Sequence, residues 1–233
     1  MSRQHLKGYN APLSWPVKRK ETAYVAKPSP GPHNTEDCIT VGVLIRGYLK
    51  YAKTAREIRK ILHADKILVN KKAVHDYKFP LGLFDTIEIS DTKEAYRVMI
   101  NERGRTTLEK IEMTNTAFQL CRVNGKTLLK GKKMQLNLGS GRNVLVDKDS
   151  YNVGDSVVYN LTDKKIMKHL KLEKGAKVFL TKGKYAGTHG VIESIRNFEG
   201  MRRPEITVTT KEGNLETLKE YTVVIDDSIR GSK

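Results

Sequence analysis

Apolar residues at Val41, Leu44, Ile45, Tyr48 and Leu49 recur at the spacing of one helical face, so the pattern predicts a helix starting near Thr40. Tyr48 lies on that stripe and is assigned to the core, while Arg46, Lys50 and Lys53 follow a helical spacing on another face. Thr54-Ala55-Arg56-Glu57 reads as a capping box, in which the threonine hydroxyl accepts from the third helical N–H and the glutamate reaches back. It opens a second helix with Ile58, Ile61 and Leu62 on the apolar side and Arg56, Arg59 and Lys60 outside. After Ala64 the period changes: residues 67–74 predict strand, Asn-centred turn, strand. Phe79-Pro80-Leu81-Gly82 predicts a further turn, and residues 85–89 alternate as a half-buried strand.

From Ala95 onward the pattern is that of short strands. The Asn124-Gly125 pair predicts a hairpin turn after residues 118–123, and Val153-Gly154-Asp155 a turn between two later strands. A brief helix is expected at 163–172, and the strands after Gly175 have the spacing of a small closed barrel. The expected class is α+β and multidomain: an extended N-terminal segment and linker over 1–36, a small helix–helix–hairpin domain over 37–92, a central β-rich domain over 93–172, and a C-terminal barrel over 173–233.

Five of the seven prolines fall within the first 32 residues, and Lys27-Pro28-Ser29-Pro30-Gly31-Pro32 reads as an extended linker because proline lacks the N–H and fixes φ. The stretch before it has no apolar face but carries the only tryptophan, Trp15. Such a segment is expected to be mobile in the free protein and to order on a partner.

Charge changes the picture most. The chain has 43 Lys and Arg against 26 Asp and Glu, a formal charge of +17 on 233 residues. Nine bases lie between Arg46 and Lys72 (Arg46, Lys50, Lys53, Arg56, Arg59, Lys60, Lys66, Lys71, Lys72), opposed only by Glu57 and Asp65. Arg122–Lys133 adds five bases and no acid, and Lys164–Lys184 adds eight bases against Glu173. Such self-repulsion in folded segments points to a polyanion, and nucleic acid is the default.

Catalytic and metal chemistry find no support in the spacing. Cys38 and Cys121 lie far apart with no C-x-x-C, which fits a reducing cytosol rather than a disulfide or zinc scaffold, and the six histidines show no ligand spacing. Gly125-Lys126-Thr127 mimics the end of a phosphate loop, but Leu120 stands where its first glycine belongs. No serine sits in a nucleophile elbow. No window reaches the ~18 apolar residues of a membrane helix, and Met1–Asn10 lacks the apolar run of a secretory leader. The expectation is a non-enzyme with no cofactor, no metal and no membrane partner.

The helix–helix–hairpin unit, with Thr54–Leu62, Ile67–Val74 and Asp85–Ile89, resembles the S-four-type RNA-binding domain. It departs at His63-Ala64-Asp65-Lys66, where many members carry a glycine turn. Lys182-Gly183-Lys184-Tyr185-Ala186-Gly187-Thr188-His189-Gly190 resembles the KOW motif of SH3-like RNA-binding barrels, whose glycines supply positive φ and close approach to phosphate. With His5-Leu6-Lys7, Ala11-Pro12, Trp15 and the Pro28–His33 linker in front, the whole chain resembles the archaeal and eukaryotic "e"-type family of small-subunit ribosomal protein four.

The resemblance implies a cytoplasmic, archaeal-type constituent of the small ribosomal subunit. It would be a monomer within the ribosome that binds small-subunit ribosomal RNA beside neighbouring ribosomal proteins. The residues expected at the RNA are Lys7, Trp15, Lys18, Arg19, Lys20, Arg46, Lys50, Lys53, Arg56, Arg59, Lys60, Lys71, Lys72, Lys132, Lys133, Lys182, Gly183, Lys184 and Tyr185. Trp15, Tyr51 and Tyr185 are the stacking candidates. The alternatives are an RNA-modifying enzyme, which needs a further catalytic domain, and a free translation or transcription accessory factor.

Overall fold

The computed structural model describes residues 5–226 apart from Lys132, Lys148, Glu199, Met201, Lys211 and Glu212. The chain is mostly β with few helices and forms two compact units. One comprises Met1–Met99 with Arg105–Gln119, the other Ile100–Gly104 with Leu120–Lys233.

The N-terminal segment is folded, which corrects the expectation of a mobile tail. β1 (Leu6–Lys7) pairs antiparallel with β2 (Tyr24–Val25), and Ala11, Trp15 and Val25 are buried in the main core of the first unit. The Trp15 indole N–H donates to the Cys38 carbonyl, and Thr106 N–H donates to the Ser14 carbonyl at 2.8 Å. The segment lacks a periodic apolar face because it contributes single side chains from irregular backbone.

The proline-rich linker is likewise fastened. Ser29 N–H donates to the Lys78 carbonyl at 3.0 Å, and Ser29 Oγ donates to Asp76 at 2.7 Å. Further along, β3 (Ile39–Thr40) pairs with β6 (Pro80–Leu81).

Thr40 caps α1 (Val41–Leu44), accepting from Val43 N–H. The helix continues as a π-helical turn over Ile45–Leu49 and ends at Lys50 in the left-handed region, φ 56°. Lys53 is therefore not part of this helix, and Tyr48 is 36% exposed rather than core. Leu49 still packs against the core, whereas Tyr48 turns outward where the helix widens into its π-helical turn.

α2 (Ala55–His63) carries both halves of the Thr54/Glu57 capping box. It buries Ile58 and Leu62 with Ile61 partly covered, and leaves Arg56, Arg59 and Lys60 exposed. Asp65 takes φ 53° in the turn that follows, the conformation a glycine would otherwise supply.

β4 (Ile67–Val69) and β5 (Lys72–Ala73) form the predicted hairpin. Asn70 (φ 49°) and Lys71 (φ 64°) provide the two positive-φ positions of a tight two-residue turn. β7 (Thr86–Ile89), β8 (Glu94–Ile100) and β9 (Thr106–Ile111) complete one sheet in the order β5-β4-β7-β8-β9. The sheet runs past residue 92, where the sequence suggested a boundary.

Asp85 ties these parts together. It is 1% exposed, and its carboxylate accepts from Gly82 N–H (2.7 Å), Asn70 Nδ2 (2.9 Å) and Gln119 Nε2 (2.6 Å), with His33 Nε2 at 2.9 Å. A buried carboxylate is tolerated only when so satisfied. A Cβ added at Gly82 would lie 2.2–2.5 Å from three atoms of the His33 ring. Gly82→Ala is therefore expected to cost about 1–3 kcal/mol by overpacking, read as a lower urea midpoint. Adding His33→Ala to the same chain should return part of that loss, as contacting sites couple. Strictly additive losses would count against the overlap.

The second unit holds two five-stranded sheets. The first has the order β12-β11-β10-β13-β14, built from β10 (Phe118–Leu128), β11 (Met134–Leu138), β12 (Asn143–Val146), β13 (Ser156–Asn160) and β14 (Lys165–Leu170). Its core includes Val123, Leu136, Val157 and Tyr159.

Two sequence expectations are overturned here. Asn124-Gly125 is not a turn: β10 passes through it with a register shift between Val123 and Gly125, and Gly125 lacks the positive φ that a turn demands. The expected helix at 163–172 is instead strand β14. The Asn160 side chain accepts from Thr162 and Asp163 N–H, and Lys164 takes φ 54°, so the chain reverses into a hairpin before a helix can start.

The other sheet has the order β18-β17-β16-β15-β19. It is built from β15 (Lys177–Leu180), β16 (His189–Arg196), β17 (Glu205–Thr210), β18 (Gly213–Leu218) and β19 (Thr222–Val224), and its core includes Val178, Leu180, Ile192, Ile206, Val208 and Val224. β19 returns beside β15, opposite the edge formed by β18.

Candidate nucleic-acid interface

The cationic face of the first unit is a consequence of helical phase. With Ile58 and Leu62 sealed inward, Arg56, Arg59 and Lys60 must project from the other side of α2. The Arg59 guanidinium lies 4.8 Å from the centre of the Tyr77 ring, which holds the charge in place without neutralising it. Arg46, Lys50 and Lys53 are also exposed. At the hairpin Lys72 is open, whereas Lys71 Nζ is 3.0 Å from the buried Glu88 and serves partly to neutralise it. Glu57 and Glu94 are both engaged by neighbouring groups. Accepting from the Lys53 N–H and from Thr54 holds Glu57 below the usual carboxylate range. Bonds from Lys110, Tyr51 and Tyr96 lower Glu94 to about 2. Tyr51 is 44% exposed and keeps its hydroxyl on Glu94 at 2.7 Å.

The second candidate is the loop between β15 and β16. Gly183 and Gly187 take φ 85° and 86°, as expected for glycines chosen for conformation. Gly187 N–H donates to the Leu180 carbonyl at 2.7 Å and Leu180 N–H to Thr188 at 3.0 Å, so the loop is closed at its base. Lys182 and Lys184 stand exposed at its tip. Tyr185 is half-buried against the sheet core with Lys184 Nζ 5.4 Å from its ring, which makes it a support for the loop more than an open platform.

A Cβ at Gly187 would overlap the Asn101 carbonyl, a backbone group that cannot swing aside. Gly187→Val is expected to destabilise by about 3 kcal/mol, combining disfavoured φ with overlap. Lys184→Ala should leave the thermal transition unchanged. Equal transitions for all three proteins would sink the glycine argument.

The remaining expected residues divide. Lys7, Lys18, Lys20 and Lys133 are exposed, although Lys18 approaches Glu21 at 3.5 Å. Arg19 is half-buried and donates to the carbonyls of Tyr9 and Ala11 at 3.3 and 3.2 Å, so it braces its own segment. Trp15 is 4% exposed and has no face for a base, which removes it from the stacking set. Lys132 lies outside the described residues.

Sequence reasoning missed Tyr24, Lys27, Tyr77, Lys78 and His5, which gather beside Arg46 around one cleft. The available signal was the Tyr77-Lys78 pair directly before Phe79-Pro80, an aromatic and a base in a loop without apolar periodicity.

Burial pushes the Cys38 thiol up to about 11, far from a nucleophile's range. Among the described residues no three His, Cys, Asp or Glu side chains cluster as metal ligands, and no helix is long and apolar enough to cross a membrane.

Known proteins resemble this chain in sequence over nearly its whole length. A model of the ribosomal family S4e matches residues 92–166, and one of the RS4NT (NUC023) domain matches residues 2–36. The small ribosomal subunit protein eS4 of Methanothermobacter thermautotrophicus is 38% identical over 231 residues, covering 98% of this chain and 95% of that protein. Its counterpart in Archaeoglobus fulgidus is 38% identical over 221 residues, with 95% and 92% covered. The crystal structure of the 30S ribosomal protein S4e from Thermoplasma acidophilum matches with a TM-score of 0.71 at 31% identity, over 84% of this chain and 98% of that one.

Proposed function

Because this chain belongs to the ribosomal S4e family, we propose that it braces small-subunit ribosomal RNA through cationic faces on separate folded parts. It is a structural constituent of the small ribosomal subunit and serves translation by binding, not by catalysis. The observation that carries the RNA-facing part is the outward phase of Arg56, Arg59 and Lys60 on a helix whose other side buries Ile58 and Leu62.

The part around residues 37–92 works as an S-four-type RNA-binding domain, with α2 and the β4–β5 hairpin meeting phosphate. The part around 173–233 works as a KOW barrel that presents Lys182 and Lys184 from a loop of fixed backbone. Residues 5–36 form a docked platform carrying Lys7, Lys18 and Lys20, and the turn between β10 and β11 carries Lys133. These side chains contact phosphates and so position the protein with little sequence readout. The protein is a single copy among neighbouring ribosomal proteins.

The test is a sucrose gradient of lysate from the source cells followed by a high-salt wash of the small subunits. The chain should remain in stoichiometric amount with the other small-subunit proteins. Release by the wash, or sedimentation with free protein, would instead favour a transient accessory factor.

A further inference from the structure

Within the first unit the N-terminal ribbon and the helical part enclose a cleft of about 300 Å³ that the basic face of α2 does not include. Its floor is apolar, from Val25, Val43 and Ile58. Its rim carries Arg46, Lys27 and Lys78, and among the described residues no carboxylate lines it.

Two aromatic groups stand at its sides. His5 and Tyr24 meet edge to face, ring centres 5.4 Å apart at 90°, and Tyr24 is 59% exposed. Tyr77 also lines the cleft, with Arg59 and Lys78 at 4.8 and 5.8 Å from its ring centre.

We infer that this cleft receives a single unstacked nucleotide of the ribosomal RNA, its base on the Tyr24 ring and apolar floor and its phosphate at the Arg46–Lys78 rim. The inference rests on the proposed binding of ribosomal RNA and adds a defined subsite to it. The chemistry selects this occupant. An apolar floor flanked by aromatic rings takes a flat ring, and a rim with cations and no anions takes the attached phosphate. The volume is that of the smallest ligand sites and is too small for a helix of RNA or protein. An acidic side chain of a neighbouring protein would satisfy the rim but leave the exposed Tyr24 ring and the apolar floor wet. An edge-on His5 uses at most one face of the Tyr24 ring, so a stacking face remains.

The signal for such a site is absent from the charge pattern, because the cations come from three separate segments at 27, 46 and 78. Tyr24 of β2 and His5, immediately before β1, come from this ribbon, which gives the folded N-terminal segment a role beyond packing.

The experiment is electron cryomicroscopy of intact small subunits containing the full chain. The expected result is one base flipped out of its helix and stacked on the Tyr24 ring, with its phosphate within hydrogen-bonding distance of Arg46 or Lys78. A Tyr24→Ala chain in the same subunits should make that nucleotide about fivefold or more reactive to 2′-hydroxyl acylation, the lower end of what losing one base–aromatic stack costs. A cleft holding only solvent, or a neighbouring protein's side chain, while RNA lies along α2 would overturn this inference and leave the proposed function standing. Subunits lacking the chain altogether would overturn both.

Discussion

Replacing Trp15 by alanine should lower the stability of the first unit by about 3–5 kcal/mol, the usual cost of deleting a fully packed tryptophan. For a unit of this size that is a fall of the order of 10–20 °C in its thermal transition. The ring is 4% exposed, shares the main buried cluster with Val25, Ile39 and Leu44, and spends its N–H on the Cys38 carbonyl. The alanine variant leaves that carbonyl unpaired as well as opening a cavity. Tyr9→Ala is the matched control, since Tyr9 is 65% exposed and should move the transition little. Because Trp15 is the only tryptophan, its fluorescence reports directly: emission from the free protein should be that of a buried indole and shift red on unfolding. An unchanged transition, or solvent-exposed emission in the free protein, would mean that the segment docks only on a partner.

The second large effect is electrostatic. Changing Arg56, Arg59 and Lys60 together to glutamate should weaken binding to small-subunit ribosomal RNA by about two to three orders of magnitude near physiological salt, since three attractions become three repulsions. The log–log salt dependence should flatten by about two to three units if each of the three meets one phosphate. The fold should survive. Ile58, Leu62 and the Thr54/Glu57 cap are untouched, and the main loss is the Arg59–Tyr77 contact, worth about 0.5–1 kcal/mol at an exposed site. Glutamates at 59 and 60 also sit unfavourably toward the C-terminal end of α2, a cost of a few tenths of a kcal/mol. Circular dichroism separates folding from binding. Unchanged affinity and slope in a folded variant would remove this face from the interface.

What was legible in the sequence was whatever repeats locally. The capping box, the inward Ile58 and Leu62, the Asn70 turn and the strands after Ala95 all announce themselves through spacing of two to four residues. The N-terminal segment did not, because Ala11, Trp15 and Val25 reach the core from irregular backbone and their partners lie far along the chain. Proline density was read as mobility, yet fixed φ also lowers the cost of ordering a docked loop, and Ser29 and His33 pin this one. The false turn at Asn124-Gly125 and the false helix at 163–172 share a cause. Each was judged on local composition, and in each the neighbouring strand decided the outcome through pairing. The runs of charge singled out α2 and the β15–β16 loop as candidates for the interface. The cleft stayed hidden, because its residues come together only through the pairing of β1 with β2 and the docking of that ribbon.

The most direct test of the RNA-bracing account is quantitative amine labelling of lysines in the free protein and in intact, high-salt-washed small subunits. Lys53, Lys60, Lys72, Lys182 and Lys184 are all exposed in the chain by itself and should label readily in the free protein. In the subunits the account predicts strong protection of these lysines, restored to free-protein labelling when the RNA is digested. Equal labelling of the α2 and β15–β16 lysines in both states would contradict it.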